Sequence, residues 1–197
     1  GFLLFSCKKK GTVKGKVIHA FTGEAMPNIP ISFFSIGNSI AIDDVTVESI
    51  AIGYGVHIAS HSIASIAMGC GAGVGQHSAD GIAIGYNTVL GDNSPDCVVI
   101  GSNNNIQGMG SSVVLGTGIT FTSAGTSSCV VIGDNISFGN GAFGLSIAIG
   151  GGILIYSDGE GIAIGYGSSI GSGTYGIVLG NGASVVNSSG NYSSIAI

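Results

Sequence analysis

The sequence predicts an all-β chain built as a parallel β-solenoid, a β-roll of about ten coils with a period of 15–17 residues. Three observations carry that expectation. First, one five-residue pattern recurs: a small residue, a β-branched aliphatic, Ala or Val, an aliphatic, then Gly. It runs from Ser49–Gly53 through Ser65–Gly69, Gly81–Gly85, Cys97–Gly101, Ser112–Gly116, Cys129–Gly133, Ser146–Gly150 and Gly161–Gly165 to Gly176–Gly180, with its glycines spaced by 16, 16, 16, 15, 17, 17, 15 and 15 residues. A fixed period of this kind marks a repeat architecture. Second, the residue five places after each of these glycines is always apolar: Ile58, Val74, Leu90, Ile106, Phe121, Phe138, Ile155, Ile170 and Val185. Third, 37 of the 197 residues are glycine, 45% are hydrophobic and only 8% are charged. Such a chain must bury aliphatic strands and turn sharply between them.

Taken in chain order, residues 1–10 (GFLLFSCKKK) read as the end of a signal segment followed by a basic tether. The apolar run Phe2–Phe5 is too short to span a bilayer. Leu4-Phe5-Ser6-Cys7 resembles the lipobox of bacterial lipoproteins, which implies lipid attachment at Cys7 and no other membrane contact; the alternative is an apolar strand with a free thiol. Residues 11–34 contain two short strand patterns, Val13–Ala20 and Ile29–Phe34, around a turn-rich Thr22-Gly23-Glu24 and Pro27-Asn28. Gly15, Val17, Thr22, Gly23, Glu24, Ile29 and Ile31 are similar to the first hairpin of carboxypeptidase-regulatory-like β-sandwiches. That resemblance implies a secreted or surface protein without catalytic activity; otherwise the hairpin caps the solenoid. Residues 35–197 form the roll, which stops one residue short of a further glycine and is expected to be truncated. Ser39–Ile42 is an earlier copy of the pattern, off register and assigned to a cap.

Each coil thus holds two strands. The second alternates apolar and polar positions, as a half-exposed strand does. The first is apolar at three consecutive positions. Its outer pair is assigned to the core, with Ile50, Ile52, Ile66, Ile82, Ile84, Val98, Ile100, Ile132, Ile149 and Ile164 packing beside Leu90, Ile106, Phe121 and Phe138. Its middle column then faces outward: Ala51, Ala67, Ala83, Val99, Val114, Val131, Ala148, Ala163 and Val178. That column is never polar. An outward face of this kind calls for a cover, and small side chains suit identical chains packed around an axis, so a homo-oligomer is expected.

The motif S-[IV]-A-[IL]-G with a Gly- and Ser-rich remainder resembles the head repeat of trimeric autotransporter adhesins, the YadA-like heads, over residues 49–197. The resemblance implies three chains wound into one rod. It also implies a place on the bacterial outer surface and non-enzymatic attachment to a host, matrix or glycan surface. No stalk or C-terminal membrane anchor accompanies the motif, and a lipid at Cys7 is not that family's usual tether. Phage tail fibres carry similar rolls, so a viral receptor-binding fibre is the alternative; a structural spacer and an ice-binding solenoid are the others, although the threonines form no regular column.

Charge narrows the partners. All five basic residues lie at or before Lys16, while ten carboxylates follow. A surface without cations cannot neutralise phosphates, so no nucleic-acid partner is expected. No catalytic, cofactor-binding or metal residue is assigned, and the chain is not expected to be an enzyme. Gly171–Gly176 fits G-x-G-x-x-G but leads into a strand pattern instead of a helix. Gly167–Gly171 fits the hydrolase elbow, yet its partner histidine would have to follow it and the last histidine is His77. Asp92 with Asp96, and Asp158 with Glu160, share loops without pairing. His61 and His77 both lie eight residues after their glycine, so their rings should stack on adjacent coils with Asn93 next. A ladder of turn side chains is one reading and a weak surface metal site the other. Cys97 and Cys129 fall two coils apart, too far for a disulfide. Cys70 takes the place of Tyr54, Tyr86 and Tyr166, and all three thiols are read as packing groups.

Overall fold

A computed structural model describes residues 33–43, 46–121, 128–139, 144–156, 160–185 and 193–197. Cys7, the basic tether and the strand pattern Val13–Ala20 lie outside the described residues.

Within Ser32–Ile197, the first ten coils each supply a long strand and a two-residue short strand, and the long strand Ser193–Ala196 follows them. Among the described residues, eleven long strands pair in chain order in one parallel sheet, and ten short strands do the same in a second. The register follows the repeat column by column: Ile50 stands beside Ile66, Ala51 beside Ala67 and Gly53 beside Gly69, and the same holds as far as Gly150 beside Gly165. Coils of 15, 16 and 17 residues stack without slippage because the length differences fall outside the strands.

The anchor glycine makes the register obligatory. At Gly101 the backbone has φ 141°, outside the range of L side chains. A β-carbon there would overlap the carbonyl oxygen of Gly116 on the next coil. The same overlap is shared by the nine anchor glycines from Gly37 to Gly165, so the column lets neighbouring backbones touch. Two residues further on, a left-handed corner recurs, filled by Gly55 (φ 62°), Asn87 (φ 49°), Asn103 (φ 53°) and their equivalents. These are residue types that tolerate that conformation. The corner amides continue the ladder: Gly71 N–H donates to Tyr54 O at 2.8 Å and Asn103 N–H to Tyr86 O at 2.9 Å.

The first coil differs from the sequence expectation. Its long strand is Phe33–Asn38, with Gly37 beside Gly53. Ala41 and Ile42 are its short strand, beside His57 and Ile58. Ser39–Ile42 is therefore not an off-register copy of the long strand. The true copy, Phe34-Ser35-Ile36-Gly37, escaped notice because Ser35 stands where later coils carry Ala or Val. Among the described residues the first long strand starts at Phe33, so Phe33 and Phe34, assigned from the sequence to the segment 11–34, pair within the roll.

The larger difference is which face is inside. Ala51, Ala67, Ala83, Val99, Val114, Val131, Ala148, Ala163 and Val178 are all fully buried. They pack in one cluster with Ile58, Leu90, Ile106, Phe121, Phe138 and Ile170 of the short strands. Leu90, Ile106, Phe121 and Phe138 are core as expected, whereas the assigned oligomer face is interior. The reason is girth. A coil of about sixteen residues encloses a thin cross-section, and a large short-strand residue leaves room opposite only for Ala or Val. Ile50, Ile52 and their column mates are too bulky for that space and turn outward. Phe121 and Phe138 stack with ring centroids 4.1 Å apart and planes 12° apart, and they occur in the two 17-residue coils.

Small polar residues line the remaining corners. Ser62, Ser78 and Ser94 are fully buried. Ser78 Oγ donates to Gly91 O at 2.8 Å and accepts from Ser94 N–H at 3.0 Å. Ser62 repeats the arrangement one coil earlier, donating to Gly75 O and accepting from Ser78 N–H. Asn104 serves the opposite corner, donating to Gly116 O at 2.8 Å and accepting from Ile119 N–H at 3.0 Å. Among the described residues no buried side-chain nitrogen or oxygen lacks a partner. Ser78→Ala strands a part-buried carbonyl and a buried amide together, and is expected to cost about 1–3 kcal/mol in urea unfolding.

Candidate interaction face

With the middle column inside, the outer surface of the eleven-stranded sheet carries two aliphatic columns. One runs Phe34, Ile50, Ile66, Ile82, Val98, Val113, Val130, Ile147, Ile162, Ile177 and Ile195. The other runs Ile36, Ile52, Met68, Ile84, Ile100, Leu115, Ile132, Ile149, Ile164, Leu179 and Ile197. No position in either column is charged or polar. Mid-stack residues such as Val130, Ile132, Ile147 and Ile149 are 36–39% exposed, and Phe34 and Ile36 at one end are 51% and 55% exposed. Strand spacing makes this face about 48 Å long, and residues two apart place its columns about 7 Å apart. Of the residues assigned to the core from sequence, Ile50, Ile52, Ile66, Ile82, Ile84, Val98, Ile100, Ile132, Ile149 and Ile164 all stand here, the first six partly buried and the last four exposed. The exposed face was anticipated, but its columns were exchanged.

Tyr54, Tyr86 and Tyr166, 60–70% exposed, line one margin just beyond the anchor glycines. Cys70 stands beside Tyr54 in this margin and is exposed, so it is not a packing thiol. A shallow groove lined by Leu145, Glu160, Tyr175, Ile177 and Ile195 continues the face near Ile197.

Cys97 and Cys129 are buried, the Cys97 thiol donating to Met109 O and the Cys129 thiol to Gly144 O. Ser112 occupies the coil between them, its Oγ accepting from Cys129 N–H at 2.9 Å. Burial raises the Cys97 thiol above its ordinary pKa, a hydrogen bond from the Ser112 backbone works against the rise, and the Asp96 carboxylate adds to it. A thiol held neutral in this way is a poor nucleophile.

The catalytic motifs dissolve in the fold. The segment after Gly171–Gly176 is the strand Tyr175–Leu179, and Thr174 spends its hydroxyl on Gly171 O at 2.6 Å. Ser169, the elbow serine, pairs with Ser184 at 2.8 Å on the next coil. Asp92 accepts from Gln76 N–H at 2.8 Å and Asp96 sits at a left-handed turn, φ 56°; Asp158 lies outside the described residues. His57 Nε2 meets Asp43 Oδ2 at 3.0 Å on the surface. His61 and His77 stack as expected, centroids 4.9 Å apart and planes 12° apart. Among the described residues no three His, Cys, Asp or Glu side chains come together as a metal cluster. Compared with protein-family models, curated proteins and solved structures, the chain matches none.

Proposed function

We propose that the chain is a non-enzymatic surface rod of the adhesin type, whose rolls associate through the two aliphatic columns and present their turns to a surface ligand. The supporting observation is that face: uninterrupted over eleven strands and free of charge. Partial exposure of some twenty large side chains amounts to on the order of 1,000 Å² of apolar surface, against the ~300–600 Å² of the largest patch on an ordinary monomer. At ~25 cal/mol per Å², covering most of it is worth tens of kcal/mol before association costs, enough to hold chains together permanently. Further copies of the chain are the matching occupant, because an identical flat face offers the same strand spacing and no buried charge. Three copies follow the YadA-like motif. Assembly leaves the short-strand sheet and the turn columns outside, repeated along the rod and around it. Weak contacts to a host, matrix or glycan surface then combine into avidity. A lipid at Cys7 would hold the rod on the bacterial surface.

Light scattering on the full chain should give three times the chain mass, unchanged on dilution to low micromolar concentration. A folded single chain would sink the proposal; a two-chain mass would keep the face as an interface and discard the threefold arrangement.

A further inference from the structure

The His61–His77 pair lies outside the assembly face. Both rings are solvent-exposed. Both residues occupy left-handed turn positions, φ 62° and 55°, and Asn93 takes the same position on the next coil with φ 56°. The turns are fixed by the ladder: His77 N–H donates to Ser60 O at 3.3 Å and Asn93 N–H to Gln76 O at 2.8 Å. Asp92 adds a carboxylate acceptor for Gln76 N–H at 2.8 Å. Two imidazoles are thus held one coil apart by backbone that cannot drift, while their ring edges stay open to solvent.

We infer that His61 and His77 form a two-imidazole chelate for a borderline divalent cation of the zinc, nickel or copper(II) class. Metal–nitrogen bonds of about 2.0–2.1 Å at a tetrahedral angle put the two nitrogens about 3.4 Å apart. Rings with centroids 4.9 Å apart reach that separation by tilting toward each other, which exposed side chains do without moving the coil. Imidazole nitrogen selects this class over calcium and magnesium, whose preferred ligands are oxygens. Water fills the remaining positions. The ten carboxylates and the absence of Lys and Arg after Lys16 favour cations at this surface.

The test is a titration of the full chain with zinc chloride at pH 7.5, read by the ¹H–¹⁵N signals of the imidazole side chains, which separates this site from thiols. His61 and His77 should shift together and saturate near one zinc per chain while His57 stays still. His61→Asn and His77→Asn, which keep a residue suited to the left-handed turn, should each weaken zinc binding at least about tenfold by removing the second arm of the chelate, with the melting temperature unchanged. The inference is overturned if neither ring responds to millimolar zinc, if His57 or a cysteine alone responds, or if either variant binds as tightly as the parent.

Discussion

Gly101→Ala is expected to destroy the cooperative unfolding transition of the roll, whereas Gly55→Ala leaves it in place with a modest shift. Both replacements add one methyl group to a glycine with positive φ. At Gly101 the new β-carbon would overlap the carbonyl oxygen of Gly116 and crowd the amide nitrogen of Asn104, at φ 141°. Relief requires two coils to separate, which breaks the strand pairing on both sides, and the cost should exceed about 4 kcal/mol. At Gly55, φ is 62° and nothing lies within 4 Å of the added carbon. Only the intrinsic left-handed penalty remains, about 1–2 kcal/mol. Urea unfolding followed by far-ultraviolet circular dichroism, at one fixed chain concentration, compares the two. If Gly101→Ala unfolds within about 1 kcal/mol of the parent, the glycine-on-glycine register is wrong.

The second large effect separates inside from outside. Ile132→Asp combined with Ile149→Asp puts two carboxylates side by side on adjacent coils of the aliphatic face. In an assembly these would be buried without partners, at several kcal/mol each. The expected result is dissociation to single chains that keep their β-sheet spectrum, because the interior column is untouched. Val131→Asp, next to Ile132 in the chain but fully buried in the adjoining column, should instead unfold its coil. Sedimentation together with circular dichroism distinguishes the outcomes. Were Val131→Asp to dissociate the copies without loss of structure, the middle column would be the outer one after all.

Much of the fold was legible in the sequence because a solenoid repeats its constraints. The anchor glycines, the apolar residue five places later and the stacked histidines each fall where the spacing puts them. What misled was the assumption that bulky residues go inside. Period-two alternation states that Ile50 and Ile52 share a face opposite Ala51, but not which face is covered. The answer was present in a neighbouring column. Ser49 and Ser65 lie on the same side as Ala51 and Ala67, and their hydroxyls serve the buried ladder: Ser65 N–H donates to Ser49 Oγ at 3.1 Å. The left-handed corner two residues past each glycine was equally visible as a column of Gly and Asn. The first coil stayed hidden because a single serine, Ser35, broke the pattern.

The unslipped stacking of coils has a consequence for how such a molecule can change length. Each coil touches only the one before and the one after, so stability accumulates by nearest-neighbour terms and the coil is an interchangeable module. Excising one whole module joins two surfaces that already match, and shortens the rod by one strand spacing, about 4.8 Å. Excising a single residue from a long strand would instead throw its aliphatic side chains into a space that admits only alanine or valine. Length is therefore quantised: the rod can be lengthened or trimmed in whole steps, with its reach adjustable and its cross-section preserved.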